Sequence, residues 1–452
     1  MDPLSLLDLR KDPNSPMIVT GEATYTRGEV LSRASFIAER IVKGGAGGAP
    51  VIVNLDAGVG FAAGLVGCWL AGSVPVLLDP LVRHELDRAV DETGAGAVIR
   101  NPGSAGIEIA TRVPVITPND ETAPLKDDCA QIEDDAPLLY LFTSGSTGAP
   151  ALVPKTFENL NVEYEFLSNL FDSPHRVATL VPWCHIFGFI LSFLLPVRKG
   201  GVCDLTAGIS PRIVLERAAA GMLDLVVAVP AIYRVMIRLL EKGQPAPSQM
   251  GCRFVSSGAD LPGRLRSRFE DLTGCSIVDL YGSTEAGGVA YREDNGPWLY
   301  QPHVESRILD GGHLEVKSPA VSVVSRENFY RLGDLVRPMP GGFVLDGRAD
   351  DVVKIGGRRI SLDEITREVE SCPGVERAVV LARPVRGELR ITACVESSGA
   401  RVTGQEIKTF VRGRMADHKV PSVVYELERI PTTAAGKVDR RELNRLIDEG
   451  EK

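Results

Sequence analysis

Hydrophobic positions alternate between two periods along most of the chain. Short β-branched runs, "APVIVNL" (49–55), "SVPVLLD" (73–79), "VATLVP" (177–182), "DLVVAVP" (224–230), "CRFVSSG" (252–258) and "CSIVDLYG" (275–282), end at Gly, Pro, Ser, Asn or Asp, as strands buried on both faces do. Between several of them lie amphipathic stretches of helical length, such as "PRIVLERAAAG" (211–221) and "GRLRSRFEDLTG" (263–274). The alternation predicts an α/β protein with mainly parallel sheets flanked by helices. In such sheets ligands gather at the loops beyond the carboxyl ends of the strands.

The pattern changes near residue 340. "PMPGGFVLDGRADD" is rich in turn residues, and after it "SLDEITREVE" opens with Ser361 three residues before Glu364, which predicts a capping box. Strand-like "RAVVLARP" and "LRITACVES" follow, and Thr403 with Glu406 opens a further predicted helix. The division is a large N-terminal unit, 1–347, and a small α+β unit, 348–452.

Composition narrows the function classes. The chain has 452 residues, 44% hydrophobic and 24% charged, with a formal charge of −9, which suits a globular protein and argues against broad binding to nucleic acid or anionic membrane. The longest apolar run, "IFGFILSFLLPV" (186–197), is too short for a membrane span and reads as core. The start lacks the basic and apolar regions of a signal peptide, so a cytoplasmic location is expected. Eight cysteines show no paired or metal-ligand spacing, which predicts reduced, buried thiols.

Directly after the apolar "PLLYLF" comes "TSGSTG" (143–148). Ala149 stands where a Walker A loop needs Lys. Taken alone, the six residues suit either a surface turn or a loop whose backbone amides and hydroxyls approach phosphate oxygens.

Other motifs separate the two. "LYLFTSGSTGAP" (139–150), "DLYGSTEAGG" (279–288), "YRLGDLV" (330–336), "GRADDVVKIGGRRISLDEI" (347–365) and "PTTAAGKVDRREL" (431–443) stand in one order. Together they resemble the adenylate-forming superfamily of acyl- and aryl-CoA synthetases, peptide-synthetase adenylation domains and beetle luciferases. "AGSVPVLLDP" (71–80) and "DHKVPSVV" (417–424) extend the resemblance over nearly the whole chain. It implies that Thr143, Ser144, Gly145, Ser146, Thr147 and Gly148 close over the ATP phosphates. Tyr281 and Gly282 would lie against adenine, with Gly258 and Ala259 of "SSGADLP" as its backbone wall. Thr284 would touch the α-phosphate, Glu285 would hold Mg2+, and Asp334 with Arg348 would meet the ribose. Lys437 would bridge the attacking carboxylate and the α-phosphate. Asp350 matches the hinge about which the small domain of relatives rotates. Gly357 would line the pantetheine entrance and Arg359 would meet a CoA phosphate, although Lys354, Arg358 and Arg359 equally suit a solvated charge run.

The acid pocket is less legible. "PWCHIFGF" (182–189) resembles the segment bordering the acyl site, which places His185, Trp183, Phe187 and Gly188 there, with Gly287 and Gly288 opposite. No charged partner stands out among them, which favours an uncharged aryl or acyl tail over an α-amino acid. One departure concerns charge: "GAPAL" (148–152) replaces a segment that carries two lysines in many relatives, and Lys155 is a candidate to compensate.

The resemblance implies an acid–thiol ligase. A small-molecule carboxylic acid attacks the α-phosphorus of ATP, pyrophosphate leaves, and a thiol then takes the acyl group. That thiol is CoA or the phosphopantetheine of an acyl carrier protein. An alternative of another class is a nucleotide- and acyl-binding protein without turnover.

Overall fold

The β-branched runs form the parallel centres of two sheets. In the larger, Pro16–Val19, Val202–Asp204, Arg176–Thr179, Leu225–Ala228, Arg253–Ser256 and Ile277–Ser283 lie side by side, each parallel to the next. In the smaller, Val51–Asn54 pairs in parallel with Pro75–Leu77 and Ala97–Arg100, and Pro75–Leu77 pairs in parallel with Leu139–Thr143. The computed structural model describes all residues except 1, 80–84, 102–112, 125–132, 134, 144–150, 209, 247–250, 324–327, 350, 356–357, 386–387, 398–401, 434–436 and 451–452. Residues Ser144–Gly148, Asp350 and Gly357 are therefore outside the described residues, as are the side chains of Thr143 and Arg359.

The larger sheet continues in a way the hydrophobic pattern does not show. Gly287–Arg292, Trp298–Tyr300, Gly342–Arg348, Tyr330–Met339, His313–Lys317 and Glu305–Ile308 extend it with antiparallel pairings. The cause is connection length. Gly311, Gly312 and Gly341 adopt positive φ, which closes tight hairpins, whereas parallel neighbours need a crossover. "PMPGGF" accordingly closes a hairpin of this sheet, between Tyr330–Met339 and Gly342–Arg348.

Helices cover the parallel strands. Arg27–Lys43 starts at a capping box of Thr26 and Glu29 and packs on Val59–Leu70, a helix buried nearly all round. A Cβ on Gly67 would stand 2.9 Å from an Ile37 side-chain carbon, so glycine there sets how closely the two helices approach. "IFGFILSFLLPV" is core as expected, a continuous helical segment with a π-helical turn at Ile190–Leu194. The seven described cysteines are free and buried. Among the described residues, no helix is long and apolar enough to cross a membrane.

After Arg348 the chain builds a separate three-stranded sheet from Val375–Val385, Glu388–Ser397 and Val423–Leu427, with its own apolar clusters. Thr403 and Glu406 form the complete capping box expected of them. Ser361 forms half of one: its Oγ accepts from the Glu364 amide, while the Glu364 carboxylate turns to Lys419 Nζ at 2.6 Å.

This smaller body docks on helices Pro230–Glu241 and Gly263–Thr273 through charge. Arg234 Nη1 donates to Glu376 O at 2.7 Å, its Nη2 lies 3.6 Å from Glu370 Oε1, and Arg238 pairs with Glu376 and Glu396. Around them is a cleft of about 490 Å³. Arg238 is half exposed, so its pair with Glu376 is worth at most about 1 kcal/mol. Glu376→Gln should shift the relative rates of any two half-reactions that need different domain orientations by no more than about fivefold, and the shift should shrink at high salt. Single-turnover rates of each half-reaction at two ionic strengths check this.

Candidate functional site

A cavity of about 140 Å³ opens where both parts of the chain meet. Its wall includes Ser257, Gly258, Tyr281, Gly282, Ser283 and Thr284, all at or beyond the carboxyl ends of parallel strands, and also Lys437. Lys437 is exposed, and its carbonyl accepts from the Thr433 amide at 2.7 Å, beside the isolated bridge of Thr432 and Val438. A residue more than 150 positions beyond Thr284 thus reaches the same space.

The local fold explains the strand end. Tyr281 Oη donates to Asp334 Oδ2 at 2.7 Å, and Asp334 lies opposite Arg348 in the neighbouring hairpin, their side chains 3.9 Å apart. Burial first, and then the Asp334 charge, hold the Tyr281 phenol protonated, so it remains the donor. Gly282 has to be glycine, because a Cβ there would stand 2.2 Å from the Gly287 carbonyl across the strand pair. Gly258, at φ 85°, turns the chain as it leaves Arg253–Ser256. Ala259 is exposed beside it and does not line the cavity.

The strand that carries Tyr281 is held by a buried charge network. Asp279 Oδ2 accepts from Arg292 Nε at 3.1 Å and Nη2 at 2.8 Å, and Arg266 Nη2 lies 3.7 Å away. Burial pushes the Asp279 carboxyl up to about 7, while the two guanidiniums work against that rise. Arg292 also meets Asp260 at 2.9 Å.

Glu285 sits on the turn after Thr284, where its carbonyl accepts from the Ser322 amide at 3.1 Å. Its carboxylate is part-exposed and takes no hydrogen bond among the described residues. An unpaired carboxylate of this kind suits Mg2+, a hard ion that takes one or two protein carboxylates and fills its shell with phosphate and water oxygens.

Much of the opposite wall is apolar, with Leu167, Val181, Ile186, Phe187, Ile190 and Leu191 on it, and His185 stands beside them. His185 Nε2 lies 3.5 Å from Asp79 Oδ2, at the end of the Pro75–Leu77 strand. Asp79 is a residue the sequence did not single out, although "AGSVPVLLDP" was part of the motif order. Cys184 approaches the same two side chains, all three ligand atoms lying within 4.8 Å. Burial and the Asp79 charge push its thiol well up, which makes it a poor thiolate ligand, and His185 Nε2, though near Asp79, makes no hydrogen bond among the described residues.

Two expected pocket residues do not line the cavity. Trp183 is fully buried among Phe61 and Phe193, its Nε1 donating to Ser192 Oγ at 3.0 Å. Its bulk and its single N–H find partners in the core, so it backs the wall from behind. Gly188 likewise serves packing, since a Cβ would stand 2.2 Å from the Pro182 carbonyl.

Lys155 also departs from expectation. Its side chain is fully buried, with Nζ donating to Ala320 O at 3.1 Å between the charges of Glu163 and Glu285. Burial lowers its pKa, and the two carboxylates oppose that shift. Glu163 was missed by the sequence reading altogether. It lines the cavity with Gln301, and its Oε2 accepts from the Gly288 amide at 3.0 Å. Nothing in "ENLNVEYEF" (158–166) separates Glu163 from Glu158 and Glu165, because only the tertiary packing buries it.

Residues 8–322 match the family model described as AMP-binding enzyme, and 364–437 match the AMP-binding enzyme C-terminal domain. A feruloyl-CoA synthase of Amycolatopsis is 28% identical, the match covering 96% of each chain. The ATP-bound MatB of Rhodopseudomonas palustris superposes with a TM-score of 0.86 at 22% identity over 100% of both chains. A benzoate CoA ligase of Burkholderia xenovorans LB400 superposes at 0.85 with 21% identity over 98% of this chain and 99% of that one.

Proposed function

The chain belongs to the AMP-binding enzyme family, and from that premise we propose how its residues divide the work of an AMP-forming acid–thiol ligase. It activates a small-molecule carboxylic acid with ATP, forming an acyl-adenylate and pyrophosphate, and passes the acyl group to CoA. The observation that carries the division of roles is the shared cavity: Lys437 of the small unit lines it together with Tyr281, Gly282, Thr284 and His185 of the large one.

In the proposed mechanism residues 1–347 bind ATP and acid, and residues 348–452 bring Lys437. Tyr281, Gly282 and Gly258 border the adenine, while Asp334, oriented by Tyr281 and Arg348, accepts from the ribose hydroxyls. Thr284 donates to the α-phosphate. Lys437 sets its ammonium between that phosphate and the incoming carboxylate, where it offsets their repulsion and the charge that grows during transfer. Glu285 would hold Mg2+, which neutralises the phosphates as pyrophosphate leaves. His185, with Asp79 nearby, borders the carboxylate end of an apolar acid slot. The second step needs no protein nucleophile, because the thiol attacks the mixed anhydride directly. Thr143 to Gly148 as the phosphate loop, Asp350 as hinge, and Gly357 and Arg359 on the thiol side complete the proposal. The pantetheine of a carrier protein is the alternative acceptor.

Pyrophosphate release from MgATP across a panel of aryl, short-chain and medium-chain acids, with and without CoA, tests this assignment. Release stimulated by one acid class and raised by CoA supports it, whereas a CoA-independent rate points to the carrier-protein thiol. Asp334→Asn should raise the KM for ATP about 10- to 100-fold, the loss of one charge-assisted hydrogen bond, with kcat much less affected. Initial rates at varied ATP check this.

A further inference from the structure

Glu163 and Gln301 line the acid cavity, and each carries an acceptor that no described residue uses. Glu163 is 6% exposed and Gln301 3% exposed, and Oε1 of each has no hydrogen-bond partner among the described residues. A buried acceptor left without a donor is costly, so the site calls for one. A purely structural ion pair does not account for the geometry, since Lys155 Nζ bonds to Ala320 O and Glu163 keeps Oε1 open.

The backbone is shaped around both side chains. A Cβ on Gly287, which has φ 71°, would stand 2.7 Å from Glu163 Oε1, and a Cβ on Gly288 would stand 2.6 Å from Gln301 Nε2. Consecutive glycines thus admit the carboxyl and the amide to a wall otherwise built from such residues as Leu167, Ile186 and Leu191.

We propose that Glu163, with Gln301 beside it, is a specificity determinant that selects carboxylic acids bearing a hydroxyl or amino group on an otherwise apolar body. The substituent donates to Glu163 Oε1; burial raises the Glu163 pKa, and the nearby Lys155 charge and the Gly288 amide oppose that rise in favour of the accepting carboxylate. This rests on the reading of the cavity as the acid site and names the substrate class for it. A site built to accept such a hydrogen bond rejects an analogue lacking the donor far more strongly than an apolar slot rejects a missing methylene.

The test compares matched aryl and medium-chain acids that differ only in carrying hydroxyl, amino or methyl at the same position, with pyrophosphate release as readout. The wild type should favour the hydroxyl or amino acid over its methyl counterpart by about tenfold or more in kcat/KM. Glu163→Gln, which keeps the shape, should reduce that ratio. Lys155→Met with Glu163→Leu removes both buried charges together, so that neither is left unpartnered, and should abolish the preference. Equal turnover of all three acids by the wild type, or an equal loss for all three in the paired variant, overturns the proposal while leaving acid activation standing. Absence of pyrophosphate release with every acid overturns the acid-activation reading and the proposal with it.

Discussion

Lys437→Ala should slow acyl-adenylate formation by about 100- to 1000-fold while thiol transfer from supplied acyl-adenylate stays close to the wild-type rate. The first figure is what removing one preorganised group that stabilises developing charge typically costs. The side chain lines the cavity that Tyr281 and Thr284 also line, and it is the one lysine among the lining residues. Sparing of the second step follows if the small unit turns away before the thiol attacks, as rotation near Asp350 would allow. Pyrophosphate exchange for the first step and CoA-thioester formation from synthetic acyl-adenylate for the second separate the two. Equal loss in both would show that Lys437 remains at the reacting centre throughout, which contradicts a rotating small unit.

Asp279→Ala should destabilise the protein by about 3–5 kcal/mol at pH 8, the usual cost of removing one partner from a buried charge network. Arg266 is fully buried and would keep Ile277 O and the more distant Glu270, while Arg292 would keep Asp260 and Leu261 O. Arg266→Met with Asp279→Leu should recover a large part of that loss, because neither change then strands a charge. Wild-type stability also carries a pH signature from this site. The folded protein holds the Asp279 proton up to about 7, whereas the unfolded chain releases it near 3.8. Between those values the native state binds more protons, so this contribution to stability falls as pH rises, and Asp279→Ala should lose that slope. Urea titrations at several pH values measure both effects. The network lies directly beneath Tyr281, so partial loosening should also weaken ATP binding before the fold is lost.

Motif order brought out residues that the fold then gathers. Lys437 is far in sequence from Tyr281, Gly282 and Thr284 yet lines one cavity with them, and Tyr281, Asp334 and Arg348 meet in one contact chain. Each belongs to a short stretch whose neighbours constrain the backbone: glycine at 282 for close approach, and a hairpin that sets Asp334 opposite Arg348. Such signals are local, so they survive in a linear reading. Local periodicity likewise located six of the parallel strands, and the Thr403–Glu406 pair predicted its own helix start.

The acid side behaved differently, because there the decisive quantity is burial. Trp183 and Phe187 both look like pocket aromatics in "PWCHIFGF", but the helical turn through Ser192 sends one into the core and leaves the other on the wall. Lys155 reads as a stand-in for the lysines missing after "TSGSTG" and Glu163 as ordinary surface charge, and only the packing of helix Phe157–Leu170 against Gly287, Gly288 and Ala320 encloses them. The sequence by itself determined the fold class, six of the parallel strands and a set of motifs whose residues meet at one cavity, since these depend on periodicity and on short stretches with fixed backbone demands. The tertiary structure alone decided which polar groups line the apolar side of the cavity, because a charge acquires that place only when distant segments remove it from water.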